Sequence, residues 1–408
     1  MRAILKRGGQ FNPVNIKIGG SKSESNRLLI LQALYPNITI ENLSESDDTE
    51  FLRAALNFNK NTVDVHHAGT GMRFLTAYFA AKEEVHIRLV GSNRMHERPI
   101  RILVDALKHL GADIEYLENE GFPPLMIRGK RLLKNEVKIQ ANVSSQYISA
   151  LMLIAPKLSN GLKIHLEGEV SSLPYIEMTA SLLRKIGVDI SFQKNTISIE
   201  AKENIPNKTI TVESDWSSAS YFYSLVSLSE DMEVSLENFS NESLQGDRVL
   251  VDIYRDLGVE TVFNSADSIS LFKNNKPISD ALVRDLANTP DLAQTIAVNC
   301  FGLGIGCKLT GLHTLKIKET DRLLALKTEL EKLGAIVYID ENSLQLEKSS
   351  QILSNKTIET YQDHRMAMAF APLVLKTDIN IDTAEVVSKS YPNFWNDLKN
   401  VGISCLLK

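Results

Sequence analysis

The stretch Gly19-Gly20-Ser21-Lys22-Ser23-Glu24-Ser25-Asn26-Arg27, running into Leu28-Leu29-Ile30-Leu31, decides how the rest of the chain is read. Two glycines permit a tight turn and a close approach to the backbone. Ser21, Ser23 and Ser25 bring hydroxyls to the free N–H groups of a beginning helix. Lys22 and Arg27 add positive charge, and the apolar run with Ala33-Leu34 carries the helix into a core. Such a helix mouth seats a phosphate or a carboxylate. The G-x-x-x-x-G-K-[ST] spacing of a Walker loop is absent. Taken alone, the same residues also describe a Ser-capped helix with a solvated lysine.

Outward from this stretch, the design recurs. Helix starts of similar style stand at Ser144-Ser145-Gln146, Ser217-Ser218-Ala219, Pro290-Asp291-Leu292 and Asp363-His364-Arg365, with intervals of 73, 73 and 73 residues. Ala68-Gly69-Thr70 lies about 75 residues before Ser145. A second landmark keeps step: an apolar residue and a glycine at Leu110-Gly111, Ile186-Gly187, Leu257-Gly258, Leu333-Gly334 and Val401-Gly402, the glycines 76, 71, 76 and 68 residues apart. Glycine suits the left-handed position just past a helix. Alternating runs follow, such as 112–116 and 188–192, as in half-buried strands. Six units of about 70 residues, each with two helices and several strands, therefore fill the chain. Equal division places a break near Val212-Glu213. Strands at Met1–Leu5 and near Asn15–Ile18 precede the first unit and are free to pair elsewhere.

Composition narrows the function. The 408 residues are 43% hydrophobic and 23% charged, enough for two or three domains with large cores. A net charge of −5 argues against a broad nucleic-acid footprint. Three cysteines, Cys300, Cys307 and Cys405, form no metal spacing and fit a reducing, cytoplasmic setting. Neither a secretory leader nor a membrane span is expected.

Several short motifs carry chemistry. Ala68-Gly69-Thr70-Gly71 would let a compact ligand lie on the main chain, with Arg73 one turn into an apolar helix; a glycine turn with a surface arginine is the plainer alternative. His66 and His67 read as loop residues, not metal ligands. Arg98 before Pro99 is expected at the mouth of a helix, where the dipole disfavours a cation unless an anion sits beside it. Ser144, Ser145 and Gln146, and later Ser172 and Tyr175, offer neutral donors or caps. Asp215 looks like a cap for Ser217-Ser218. Asp291 stands at a helix start, as cap or as functional carboxylate. Lys318-Glu319-Thr320-Asp321-Arg322 is a charge run, either solvated or functional. Asp363-His364-Arg365 opens the nearly all-apolar Met366-Ala367-Met368-Ala369-Phe370, a poor place for idle charge. Lys389 precedes Tyr391-Pro392.

In order along the chain, GGSKSESNR, AGTGMR, ERPI, SSQ, PD, KETDR and DHRMAM closely resemble the 5-enolpyruvylshikimate-3-phosphate synthases of the enolpyruvyl transferase family. The resemblance spans essentially the whole chain. It implies an α/β fold: a two-domain inside-out α/β barrel of six βαβαββ units, three per domain. It further implies a C-terminal domain of residues 1–18 and 213–408 on the phosphoenolpyruvate side, and an N-terminal domain of 19–212 on the shikimate-3-phosphate side. By resemblance, Ser23, Arg27, Ser144, Ser145, Gln146, Ser172 and Tyr175 contact shikimate-3-phosphate. Lys22, Gly69, Arg98, Gln146, Arg322, His364, Arg365 and Lys389 surround phosphoenolpyruvate, and Thr70 is a further substrate-binding position. Asp291 and Lys318 touch the shikimate ring, and Lys22, Asp291 and Glu319 are the catalytic positions. The chain departs from the family at His67 and Thr314, where asparagine is common.

The implied partners are those two small molecules, with no cofactor, no metal, no nucleic acid, no membrane and a monomeric state. The family is also inhibited by glyphosate at the phosphoenolpyruvate site. At least Lys22, Arg27, Arg98, Arg322, Arg365 and Lys389 are expected in one cleft, and buried cations need anions, which the substrates would bring. The nearest rival, a UDP-N-acetylglucosamine enolpyruvyl transferase, normally carries a loop cysteine, and residues 88–98 contain none. A non-catalytic anion-binding scaffold would have no use for both Asp291 and Glu319.

Overall fold

A computed structural model describes residues 1–8, 11–58, 60–142, 144–264, 267–274 and 276–408. The chain forms two compact units, one of Gly20–Val212 and one of Met1–Gly19 with Glu213–Lys408. Each is built from one repeated pattern. In the unit Gly20–Val212, strand Thr62–Asp64 leads through the helix Gly69–Ala81 to the parallel strand His86–Val90. The helix Arg101–Leu110 then leads to the hairpin Asp113–Tyr116 and Leu125–Arg128, and Leu125–Arg128 pairs antiparallel with His86–Val90. Glu136–Gln140, Leu162–Glu167, Ile190–Gln193 and Thr196–Ile199 repeat this around the helices Ser145–Ile154 and Leu173–Lys185. The first repeat departs from equal units. Among the described residues its sheet has two strands, Lys208–Thr211 parallel to Ile38–Glu41, and the helix Asp47–Leu56 is followed by the strand Thr62–Asp64 of the next sheet.

The other unit completes its sheets with the N-terminal strands. Val14–Ile16 lies parallel to Val234–Glu237, next to the hairpin Val259–Asn264 and Ser268–Lys273. Ala3–Lys6 sits between Ile379–Ile381 and Ser404–Leu407, and Lys356–Ile358 supplies the parallel partner of Ile379–Ile381. The third sheet, of Ala281–Asp285, Gly306–Thr310, Leu344–Leu346 and Val337–Ile339, is continuous in sequence.

Burial sorts the elements. The helices Trp216–Leu228, Ala293–Leu303 and His364–Phe370 are buried on nearly every face, in keeping with their mostly apolar or small residues. Strands such as Glu136–Gln140 alternate buried and exposed, one face on the helices and one in water. Helices therefore form the middle of each unit and sheets its skin. The glycines 111, 187, 258, 334 and 402 all have φ between +87° and +111°, the left-handed conformation a side chain would resist.

Candidate active site

In the unit Gly20–Val212 the starts of three buried helices are tied together. Ser21 caps the helix Lys22–Leu34 by accepting from the Glu24 N–H. Lys22 Nζ lies 3.3 Å from Asp48 Oδ2, and His67 Nε2 lies 3.5 Å from Asp48 Oδ1. His67 leads into the helix Gly69–Ala81, where Thr70 Oγ1 accepts from Gln146 Nε2 at 3.1 Å. Gln146 opens the helix Ser145–Ile154, whose cap is the Ser144 hydroxyl.

The two arginines expected here play different parts. Arg27 is buried and braces three helices, donating from Nε to Thr179 Oγ1 (2.7 Å), from Nη1 to the Ser23 carbonyl (2.7 Å), and from Nη2 to Ser149 Oγ (3.1 Å) and the Tyr175 carbonyl (3.3 Å). Burial pulls its pKa down to about 10, against smaller opposing effects of Tyr175 and Glu24. Arg98 is also buried, 8% exposed, yet among the described residues no carboxylate pairs with it, and its Nε has no hydrogen-bond partner. Its guanidinium lies against Gly69, where an added Cβ would come within 2.8 Å of Cζ.

Arg98 is not at a helix mouth as expected. It follows the 3-10 turn Met95–Glu97, and the next helix begins at Arg101 with Ile100 as its cap residue. Nor is Arg73 a surface residue. It is buried, with Nη1 donating to the Gly69 carbonyl (2.9 Å) and Nη2 to the Pro99 carbonyl (3.2 Å), which fastens Gly69 to the residue after Arg98. Ser172 precedes the helix Leu173–Lys185 at φ +55° and makes no side-chain cap bond.

The other unit gathers the remaining expected residues around Arg322, the first residue of the helix Arg322–Lys332. Its Nη1 donates to Asp291 Oδ1 (2.8 Å), Nη2 to Glu319 Oε2 (2.7 Å) and Nε to Asp363 Oδ2 (2.6 Å). Arg365 Nη2 reaches Asp291 Oδ2 at 3.1 Å, its Nη1 the Asp291 carbonyl at 3.2 Å, and Lys318 Nζ stands 3.7 Å from Asp291 Oδ1. Asp291 makes no cap bond; its carboxylate is committed to cations. Burial alone would raise the Asp291 carboxyl, but Arg365, Lys318 and Arg322 together hold it well below the ordinary range. Burial likewise acts to lower the Arg322 pKa, and Asp363, Glu319 and Asp291 more than reverse it.

His364 and Arg365 open the helix His364–Phe370, capped by Asp363, which accepts from the Arg365 N–H at 2.8 Å. Lys389 donates to the Gln362 carbonyl at 2.7 Å. Asp215 caps the helix Trp216–Leu228 through the Ser218 N–H (2.8 Å). Ser217 donates to Asp247 and accepts from Arg365 Nη2. The expectation that buried cations must wait for substrate anions therefore needs correction: Asp291, Glu319 and Asp363 already neutralise Arg322 and Arg365, and Asp48 pairs with Lys22. Arg73 and Asp363 stand in the AGTGMR and DHRMAM motifs without an assigned role, and Asp48 and Asp247 are not among the residues the sequence points to, although Asp48 is a carboxylate at a helix start. Of the two departures, His67 shares Asp48 with Lys22, and Thr314 is buried in the 3-10 turn His313–Ile317.

Two solved structures of enolpyruvyl transferases share this fold. One is an EPSP synthase from Acinetobacter baumannii, with a TM-score of 0.76 and 20% identity over 100% of both chains. The other is the enolpyruvyl transferase NikO from Streptomyces tendae, with a TM-score of 0.75 and 15% identity over 99% of both chains. A family model described as EPSP synthase (3-phosphoshikimate 1-carboxyvinyltransferase) matches residues 52–398. A curated relative from Bacteroides fragilis, named 3-phosphoshikimate 1-carboxyvinyltransferase, is 44% identical over 407 residues, 98% of each chain. One of the same name from Haemophilus influenzae is 35% identical over 95% of this chain and 96% of its own. The chain belongs to the EPSP synthase family. Among the described residues no helix is long and apolar enough to cross a membrane.

Proposed function

We propose that the chain transfers the enolpyruvyl group of phosphoenolpyruvate to the 5-hydroxyl of shikimate-3-phosphate and releases phosphate. The observation that carries the reading is the pair of carboxylates, Asp291 and Glu319, sharing the buried Arg322. Glu319 delivers a proton to C3 of phosphoenolpyruvate, which makes C2 electrophilic. Asp291 takes the proton of the 5-hydroxyl as its oxygen attacks C2. The tetrahedral intermediate then loses phosphate while the new methyl group returns a proton. In the resting site Asp291 is a weak base because Arg365 and Lys318 hold it ionised. An anion that engages either cation raises its basicity, so substrate arrival prepares the base. Arg98, a buried cation without a carboxylate partner among the described residues, is assigned to an anionic group of phosphoenolpyruvate.

The remaining assignments follow the same reading. Ser23, Ser144, Ser145, Gln146, Ser172 and Tyr175 are assigned to shikimate-3-phosphate, with Arg27 bracing them. Lys22, Gly69, Thr70, Arg322, His364, Arg365 and Lys389 are assigned to phosphoenolpyruvate, and Lys318 to the shikimate ring. Small molecules are the partners of a monomer working in the cytoplasm. Phosphate release with phosphoenolpyruvate and either shikimate-3-phosphate or the UDP-sugar tests the reading. Release with shikimate-3-phosphate alone is expected. Release with the UDP-sugar, or with neither acceptor, rejects it.

A further inference from the structure

Two consecutive residues without glycine's freedom, Tyr361 (φ +53°) and Gln362 (φ +58°), adopt left-handed backbone just before Asp363-His364-Arg365. Such a pair persists only where its surroundings hold it. The Asp363 N–H closes the turn on the Thr360 carbonyl (2.8 Å), and beside it stands Glu329, fully buried on the helix Arg322–Lys332 and two turns beyond Arg322 on the same face. Its Oε1 accepts from the Tyr361 hydroxyl (2.8 Å), and its Oε2 accepts from the Glu359 N–H (3.1 Å) and Lys332 Nζ (2.6 Å). Lys332 also donates to the Thr357 carbonyl at 3.1 Å. The clamp thus grips alternate residues 357, 359 and 361 of the segment entering the turn. Burial, then the Glu329 carboxylate, pushes the Tyr361 phenol up, which keeps it a donor. On the far side of the turn, Asp363 is fixed by Arg322. Between the two fixed points, the Gln362 carbonyl points at Lys389 Nζ, 2.7 Å away.

We propose that Glu329, acting through Tyr361, is a positioning residue that holds the turn left-handed and so aims the Gln362 carbonyl at Lys389, setting where that ammonium waits for the phosphoenolpyruvate anion. This rests on the reading of Lys389 given above. Loss of an ion pair that serves stability alone would weaken every step together. A device that places one ammonium affects one substrate.

The test compares the parent, Tyr361→Phe, Glu329→Gln and the double variant Tyr361→Phe/Gln362→Gly. Removing the phenol's hold is expected to raise KM for phosphoenolpyruvate about tenfold, with kcat and the shikimate-3-phosphate KM within about threefold. Glycine adopts the left-handed turn unaided and leaves the carbonyl in place, so the double variant is expected to recover most of the lost affinity. Acylation of Lys389 by acetic anhydride, read by peptide mass spectrometry, is expected to quicken about threefold in Tyr361→Phe and to slow again in the double variant. An even fall in kcat and both KM values, absence of rescue, or unchanged Lys389 labelling overturns the proposal. If the parent releases no phosphate, the functional reading fails, and the labelling result alone decides the positioning.

Discussion

Arg98 packs its guanidinium against Gly69, and among the described residues no carboxylate pairs with it. Gly69 gives its guanidinium room, and Arg73 ties the two backbones together by bonding the carbonyls of Gly69 and Pro99. A buried cation with no carboxylate partner among the described residues costs several kcal/mol, which is the reason for assigning Arg98 to a substrate anion in the proposed reaction. Gly69→Ala puts a methyl group within 2.8 Å of Arg98 Cζ. The guanidinium end can shift and alanine favours helix, so the melting temperature is expected to hold or rise slightly. The KM for phosphoenolpyruvate is expected to rise about tenfold as Arg98 moves. The inhibition constant of glyphosate, a longer occupant, is expected to rise more. Equal rises in steady-state kinetics would mean that Gly69 does not line that pocket.

Helix mouths are the repeated element, and their neighbours tune them. Asp247, on the 3-10 turn Gly246–Val249, faces Ser217 at the mouth of the helix Trp216–Leu228. Burial, then the nearby Asp291 carboxylate, raises its pKa from 3.8 to about 6. The folded state therefore binds this proton more tightly than the unfolded chain. The stabilisation is complete below about pH 4 and is lost as pH rises through 6. Asp247→Asn is expected to gain roughly 1–3 kcal/mol over the parent at pH 8 relative to pH 4. Denaturant melts at the two pH values check this, and parallel shifts would contradict it. The mouths themselves were legible because caps and glycines act locally: the 73-residue steps and the five left-handed glycines need only neighbouring residues. The truncated first repeat was hidden, since nothing near Leu56 announces a missing hairpin. The neutralisation of Arg322 was hidden too. Its partners Asp291 and Asp363 lie 31 and 41 residues away, and only the fold brings them together. Arg73 looked superficial because a lone arginine on an apolar helix gives no sign of which carbonyls it will meet.

At the scale of the whole molecule, the chain passes between its units twice, after Gly19 and after Val212. Both passages are anchored: Ser214 Oγ donates to the Ile18 carbonyl (2.8 Å), the Asp215 N–H to the Gly19 carbonyl (3.1 Å), and Asn42 Nδ2 to the Val212 carbonyl (2.8 Å). One unit carries Lys22 at a helix start and Arg98 just after a 3-10 turn. The other carries the carboxylates of Asp291 and Glu319, to which the proposed reaction gives the proton transfers. The most direct test of that claim is turnover in Asp291→Asn and Glu319→Gln, measured beside shikimate-3-phosphate affinity and the melting temperature. If these carboxylates move protons, turnover falls by about 10²–10⁴, affinity falls less, and solvent deuterium exchange into C3 drops along with turnover in Glu319→Gln. Turnover within a few-fold of the parent in both variants, with the ion-pair network broken, would contradict the account.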